Sequence, residues 1–258
     1  MKHRILAIAL LAAPLCHAGE PDLESAPISP APAASSEWNF LLALYAPLMG
    51  LDGTVGVRGL STEVDIPIDD ILDNLDGAFM AAFEARRGRW SVIGDFFWLK
   101  ISDSAPLIAN SYLKFRQEQT LASLALGYQL YGDENTTFDL LGGAAMTHLD
   151  VDLSLFTPRL PVTNRETSGS QTWVDPFVGL KVRHRLTDRW SVFATGLYGG
   201  FGVASDEYWQ ALAGVSYRVT ENAHLALAYR VIATDYQDGN FIYDAESSGP
   251  NIGLVFTF

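Results

Sequence analysis

The chain has 258 residues, of which 48% are hydrophobic and 18% charged, and its 17 basic against 30 acidic side chains give a formal charge of −13. That balance excludes nucleic-acid binding, which needs a basic footprint, and a single cysteine, Cys16, excludes a disulfide framework or thiolate metal centre. Beyond the N-terminus no segment is long and apolar enough for a membrane helix, whereas a membrane β-barrel spreads its apolar signal over alternate positions and stays open.

Residues 1–18 read as a secretory signal peptide. MKHR is a basic start, ILAIALLAAPL is an apolar run well short of the ~20 residues needed to span, and Ala18 is the small residue a signal peptidase needs. Leu15 and Pro14 oppose a lipoprotein signal around Cys16. Cleavage after Ala18 removes Lys2 and Arg4, leaving 15 basic against 30 acidic residues. Residues 19–36, GEPDLESAPISPAPAASS, are rich in Pro, Ala and Ser, have no apolar period, and read as a disordered arm. Residues 37–258 suit one all-β domain.

Strands are predicted at 38–49, 77–86, 90–101, 114–131, 137–155, 171–186, 190–201, 207–219, 223–236 and 250–258. Tight polar turns recur in RRGRWSVIGDFFW (86–98), YGDENTTFDLL (131–141), LTDRWSVFATGLY (186–198) and VTENAHLALAY (219–229). Longer links are expected at 50–76, 103–113, 156–170, 202–206 and 237–249. Short turns on one rim and longer loops on the other is the pattern of an up-and-down transmembrane antiparallel β-barrel, with short turns in the periplasm. The even count of ten puts both ends of the barrel on one side. Twelve strands result if 53–66 pairs separately, and eight if two hairpins are lost.

One short helix interrupts this pattern. In IDDILDNLDG, Ile68, Ile71, Leu72 and Leu75 recur at i, i+3, i+4 and i+7, with Asp69, Asp73 and Asp76 on the other side and Gly77 as a stop. The spacing predicts a helix over 67–76. Asp73 and Asp76 oppose the macrodipole at its C-terminal end, and the helix itself holds no Lys or Arg to offset them.

Alternation assigns the faces, because an ionised side chain in lipid is costly. The polar series Glu84, Arg86, Asp95, Gln117, Gln119, Gln129, His148, Asp150, Asp152, Asp175, Lys181, Arg183, Arg185, Arg218 and Arg230 is therefore read as lumen-facing. Small residues such as Ala78, Ala82, Gly142, Ala144, Gly179, Gly214, Ala226, Ala228 and Gly253 are expected to give it room. Trp90, Trp98, Trp190, Trp209, Tyr128, Tyr217 and Tyr229 suit interfacial girdles.

The closing strand NIGLVFTF alternates Ile252, Leu254, Phe256 and Phe258 against polar and small residues and stops on the aromatic. This resembles the terminal signal read by the barrel-assembly machinery during insertion. The whole chain after residue 18 looks like a bacterial outer-membrane β-barrel. Segment 50–102, from GLDGTVGVRG through DDILDNLDGAFMAAFEARRGRWSVIGDFFWLKIS, resembles a family of uncharacterised proteobacterial outer-membrane proteins. The resemblance implies a fold and an outer-membrane location in a Gram-negative cell, with outer-membrane lipid as surroundings, and carries over no functional residue.

Three readings of the helix stay open. It is a solvated acidic face on an external loop, a calcium loop (although the alternating oxygens of an EF-hand are missing), or a constriction. As a constriction, Asp69, Asp73 and Asp76 would meet Arg86, Arg183, Arg218 and Arg230 in the lumen, alongside Glu84 and Asp95. A hydrolytic site has weak candidates in His148, Asp150, Asp152 and Ser154, in line on one strand. Residues at i and i+2 lie ~6–7 Å apart, so any direct partner must come from a neighbouring strand. His184 and His224 are far from that region, so no metal site is expected, and no cofactor is implied. The expected role is a narrow pore, with small solutes as cargo, or a structural envelope protein. The alternative is a hydrolase acting on lipid or peptide at the loop-side rim.

Overall fold

The period-two alternation that begins at Trp38 folds as strand after strand, all paired antiparallel, and from β4 (Leu75–Arg87) onward each pairs with the next in sequence. The computed structural model describes residues 37–57, 60–106, 112–156 and 164–258. The signal peptide and arm expected over 1–36 lie outside the described residues. The strands are β1 (Trp38–Pro47), β2 (Gly50–Val57), β3 (Leu60–Ile66), β4 (Leu75–Arg87), β5 (Trp90–Pro106) and β6 (Tyr112–Gly132). They continue with β7 (Thr136–Phe156), β8 (Asn164–Arg185), β9 (Trp190–Gly199), β10 (Glu207–Arg218), β11 (Ala223–Asp238) and β12 (Phe241–Thr257). A helix, α1 (Ile68–Asp73), stands between β3 and β4.

Ten strands close a ring. β1 pairs with β4, the order then follows the sequence to β12, and β12 returns to β1 with Leu41 opposite Thr257 and Pro47 opposite Asn251. All-antiparallel closure leaves no free edge, the condition under which strands can cross a bilayer. β2 continues the line of β1 in the same register along β12, with Gly50 opposite Ser248, and the Leu48 amide bonds the Pro250 carbonyl between them. β3 folds back onto β2. Residues 53–66 thus do pair separately, as a hairpin that extends the wall beyond the ring.

Several expectations are corrected here. The helix ends at Asp73 rather than 76. Asn74 caps it, giving its backbone and side-chain N–H groups to the Asp70 carbonyl, and Leu75 already pairs with Ile101 in the sheet. Gly77 is therefore a strand residue, not a helix stop. The link expected at 237–249 is strand, closed by the two-residue turn Gly239–Asn240, where Gly239 takes φ +57° at no cost in side-chain clash. β5 to β8 and β12 run well past the length that crosses a bilayer, as projecting strands do.

The outward face carries an apolar belt. On β7 it runs from Phe138 through Leu140 to Met146, and on β11 through Leu225, Leu227, Tyr229 and Val231. Nine strand residues tilted as in such barrels span roughly 20–25 Å, the height of a bilayer core. Trp90 against Tyr128 and Trp190 against Tyr217, at ring distances of 4.9 and 5.0 Å, mark the edge at the turn end. Ile252, Leu254 and Phe258 are exposed on this outer face.

Candidate functional site

Because inward residues alternate with belt residues, the lumen can be read strand by strand. Toward the turn end it is charged. Arg86 reaches Asp139 with two bonds of 3.0 and 2.6 Å and Glu84 with bonds of 3.2 and 3.0 Å, and it also donates to Gln129 at 2.9 Å. Lys181 donates to the other Glu84 oxygen, with Arg183 farther off at 3.8 Å. Glu84 and Asp139 are almost wholly buried, so their charges persist only because these cations and hydrogen bonds replace water.

Midway up, a second polar group is set in apolar packing. Arg230, with 2% of its side chain exposed, bonds Asp95 at 2.8 Å, Gln210 at 2.8 Å and the Tyr45 hydroxyl at 2.8 Å. Tyr45 in turn donates to the second Asp95 oxygen. Met80, Phe97, Leu121 and Tyr208, each nearly solvent-free, fill the space around them. The four polar groups come from β1, β5, β10 and β11, on both sides of the β12 closure, so the network ties across the barrel interior.

Toward the loop end the lumen is aromatic. Trp173 stacks on Tyr236 at 4.1 Å and 5°, with Phe241 and Tyr243 tilted against it, and Leu51, Val55, Ile101, Leu149 and Val151 complete the cluster. Ile71 of α1 is buried in the same cluster. Asp175, buried in the lumen wall, accepts from the backbone and hydroxyl of Ser205 at 2.8 and 2.7 Å, fastening the β9–β10 connection.

Glu84, Arg86, Asp95, Arg183, Arg218 and Arg230 alternate onto the inner face of their strands. The carboxylates of α1 do not join them. Asp69, Asp73 and Asp76 are exposed, and Asp76 accepts from the Ser102 hydroxyl at 2.6 Å. The helix presents Ile71 to the interior instead, and the lumen arginines are satisfied from within the wall or lie at the far end. The expected constriction of helix carboxylates against lumen arginines is therefore corrected.

The second correction concerns β7. Asp139, Leu141, Ala145, Thr147, Leu149 and Val151 are its buried, inward residues, so His148, Asp150, Asp152 and Ser154 stand on the outer wall, beyond the belt. Gly142 and Ala144 likewise face out. His148 does find a partner on the neighbouring strand: its Nδ1 lies 2.7 Å from the Thr172 hydroxyl and its Nε2 3.2 Å from Asp150. Asp152 and Ser154 take no part in this chain of contacts. Around it the outer wall is polar, with Lys100 bonded to Glu118 at 3.1 Å and the Trp98 indole N–H to Glu118 at 3.0 Å. Farther round this rim burial, then Asp244, Asp206 and Glu207, push the Asp235 carboxyl up.

Sequence reasoning missed Asp139 and Tyr45, and it did not foresee that Gln210, on the inward face of β10 with Arg218, bonds Arg230. For Asp139 a signal existed. It lies beside the short turn, at belt height, where an ionised residue must face inward, and that alone sets the face of β7. Tyr45 carried no local signal, and the bonds of both residues join them to groups 50 and 20 residues away. Among the described residues no cluster of His, Cys, Asp and Glu has the geometry of a metal site.

A family model described as "Protein of unknown function, DUF481" matches residues 109–248, over half of the chain. This is a different stretch from the 50–102 segment that first suggested an uncharacterised family. No curated protein matches. Among solved structures, the outer membrane protease OmpT from Escherichia coli superposes with a TM-score of 0.55 at 11% identity, over 89% of this chain and 99% of that one. The transport unit of the autotransporter AIDA-I from Escherichia coli gives 0.41 at 8% identity over 93% of each chain. The likeness to OmpT is one of fold: a closed antiparallel barrel with almost no helix.

Proposed function

The chain belongs to the DUF481 family, a membership that assigns no activity, and from that premise we propose that it is a Gram-negative outer-membrane barrel with a closed lumen, a structural envelope protein rather than an open pore. Residues 1–18 act as the cleaved leader and 19–36 as the arm in this reading. Ile252, Leu254, Phe256 and Phe258 form the insertion signal met by the barrel-assembly machinery, and outer-membrane lipid surrounds the belt. Short turns face the periplasm and the projecting strands face outside.

The observation that carries the reading is the filled cross-section at mid-height. Arg230, Met80, Leu121 and Tyr208 are each at most 1% exposed, and the aromatic cluster around Trp173 stands above them. A passage for small solutes through this level would have to break the Arg230–Asp95 pair, which is costly in a confined, dry site. Planar-bilayer recording of the purified barrel tests this. No steady single-channel conductance is expected, and a stable open channel in the unmodified protein would overturn it. Location is tested separately: Phe258→Ser lowers the heat-modifiable, assembled form, and a tag after Asp133 is hidden from external protease while one after Thr163 is cut.

A second reading, hydrolysis at the loop-side rim, is favoured by the Thr172–His148–Asp150 contacts, which give a hydroxyl, a base and an orienting carboxylate within hydrogen-bond reach. They stand just beyond the belt, at the height of lipid head groups. Turnover of an acyl-ester lipid in reconstituted vesicles that is lost in both His148→Ala and Thr172→Val supports this reading, and absence of turnover removes it.

A further inference from the structure

The charged turn end of the lumen opens into a cavity of about 430 Å³, lined by Glu84, Arg86, Arg183, Asn39 and Asn222, with Leu41, Phe40, Thr257 and Phe258 completing its wall. That volume lies in the range of small-ligand pockets. What distinguishes it is the accounting of charge. Glu84, which lines it, and Asp139, which is bonded to the lining Arg86, are both already saturated. Asp139 holds two bonds from Arg86, and Glu84 accepts from Arg86 and Lys181.

The cations are not saturated. Arg183 is 44% exposed, and its one ion pair is a 3.8 Å approach to the Glu84 oxygen that Lys181 already occupies. Arg218 faces inward opposite His224, exposed, with no side-chain hydrogen bond or ion pair among the described residues. Ser216 and Ala226, the next inward pair on the same two strands, carry only short side chains. Among the described side chains, four cations at this end, Arg86, Lys181, Arg183 and Arg218, thus stand against two buried carboxylates that are already bonded, in a chain whose net charge is −13.

Surplus guanidinium groups at the mouth of a low-dielectric cavity raise the local potential and hold a fork of donors toward whatever enters. On the β1–β12 side the inward residues at this height are Leu41 and Thr257, while Phe40 and Phe258 belong to the outer face. We propose that this vestibule binds a small organic anion, one bearing phosphate or carboxylate groups on a compact frame. The inference goes beyond the closed-barrel reading and does not depend on it, because the site lies below the filled cross-section.

The test is calorimetric titration of the full barrel in nanodiscs at low ionic strength, with pyrophosphate, citrate and a short-chain phosphatidate as separate probes. Saturable binding of at least one probe is expected, weakened about tenfold or more by Arg183→Gln and again by Arg218→Gln, since each removes charge-assisted hydrogen bonds. Pyrophosphate or citrate binding points to a soluble solute, and binding of phosphatidate alone to a lipid head group. Arg189→Gln, which removes the same charge from the turn where Arg189 bonds Tyr217, should leave affinity unchanged. Heat-modifiable mobility checks that each variant is assembled, and Arg183→Lys, which keeps the charge and loses the fork, should bind with intermediate affinity. Absence of saturable binding of all three probes, or equal loss in the Arg189 and Arg183 variants, would overturn the proposal.

Discussion

The two halves of the barrel are built with opposite polarity. In the half at the turn end, the outside is apolar, from Phe83 and Trp90 round to Leu140 and Leu180, and the inside holds Glu84, Arg86, Asp139 and Lys181. In the half at the loop end, the outside holds Lys100, Glu118, His148 and Asp150, and the inside is Trp173, Tyr236, Tyr243, Leu149 and Ile71. The same strands, with an unbroken alternation, serve both halves. That reversal is what a wall with hydrocarbon around the first half and water around the second would require. The wall follows the solvent, so the lower half is organised as a membrane barrel and the upper half as a soluble one. The mid-height Arg230–Asp95–Tyr45–Gln210 network sits where one regime passes into the other.

The largest expected effect tests that junction. Arg230→Ala leaves Asp95 charged and unpaired in a nearly dry site, and should cost about 3–5 kcal/mol of barrel stability, read by urea unfolding in lipid vesicles. Replacing the pair together, Arg230→Met with Asp95→Leu, should come out near neutral. A small loss in the single variant would mean that water reaches this level. Next is the apolar interior of the upper half. Ile71→Ala should cost about 2–4 kcal/mol by opening a cavity in the aromatic cluster, while Asp73→Asn on the exposed side of the same helix stays within about 0.5 kcal/mol.

The outer wall supplies the third contrast. Leu227→Arg in the belt should lose about 2–4 kcal/mol, whereas Asp150→Arg beyond it should change stability by no more than about 0.5 kcal/mol. Equal penalties would put both positions in lipid and dissolve the comparison. The smallest effect is electrostatic. Asp235 has its carboxyl raised above the ordinary 3.8 by burial and by Asp244, Asp206 and Glu207, so the folded state holds that proton more tightly than the unfolded one. Its contribution is present below the unfolded value and lost as pH rises through the folded value. Asp235→Asn should therefore raise the melting temperature slightly at neutral pH and leave it unchanged near pH 3, as thermal scans across that range will report.

Legibility of the molecule divides along the same line. The strands and the inward faces of β10 and β11 were readable because Arg218 and Arg230 alternate with residues that must meet lipid. β7 was misread for the same rule applied past its limit. Its polar residues His148, Asp150 and Asp152 were assigned to the lumen on the cost of charge in hydrocarbon, but β7 is 21 residues long and they stand where the hydrocarbon has ended. The helix was found from its period, yet its direction was not, since Ile71 and Asp73 give equal reason to turn either side inward until the filling of the lumen is known. Thr172 as the partner of His148 could not be read at all, because cross-strand register follows from turn geometry and closure.

By itself, then, the sequence determined an antiparallel barrel of about ten strands, the positions of the four short turns at one rim, and the aromatic edge of its belt, because alternation and the cost of polar groups in lipid act residue by residue. Only the tertiary structure decided that the lumen is filled at mid-height, that β2 and β3 extend the wall above the ring, and that Arg183 and Arg218 are left with unused donors. Those depend on which side chains from distant strands arrive at the same height, and strand stagger on closing the ring, a property of the whole sheet, sets that height.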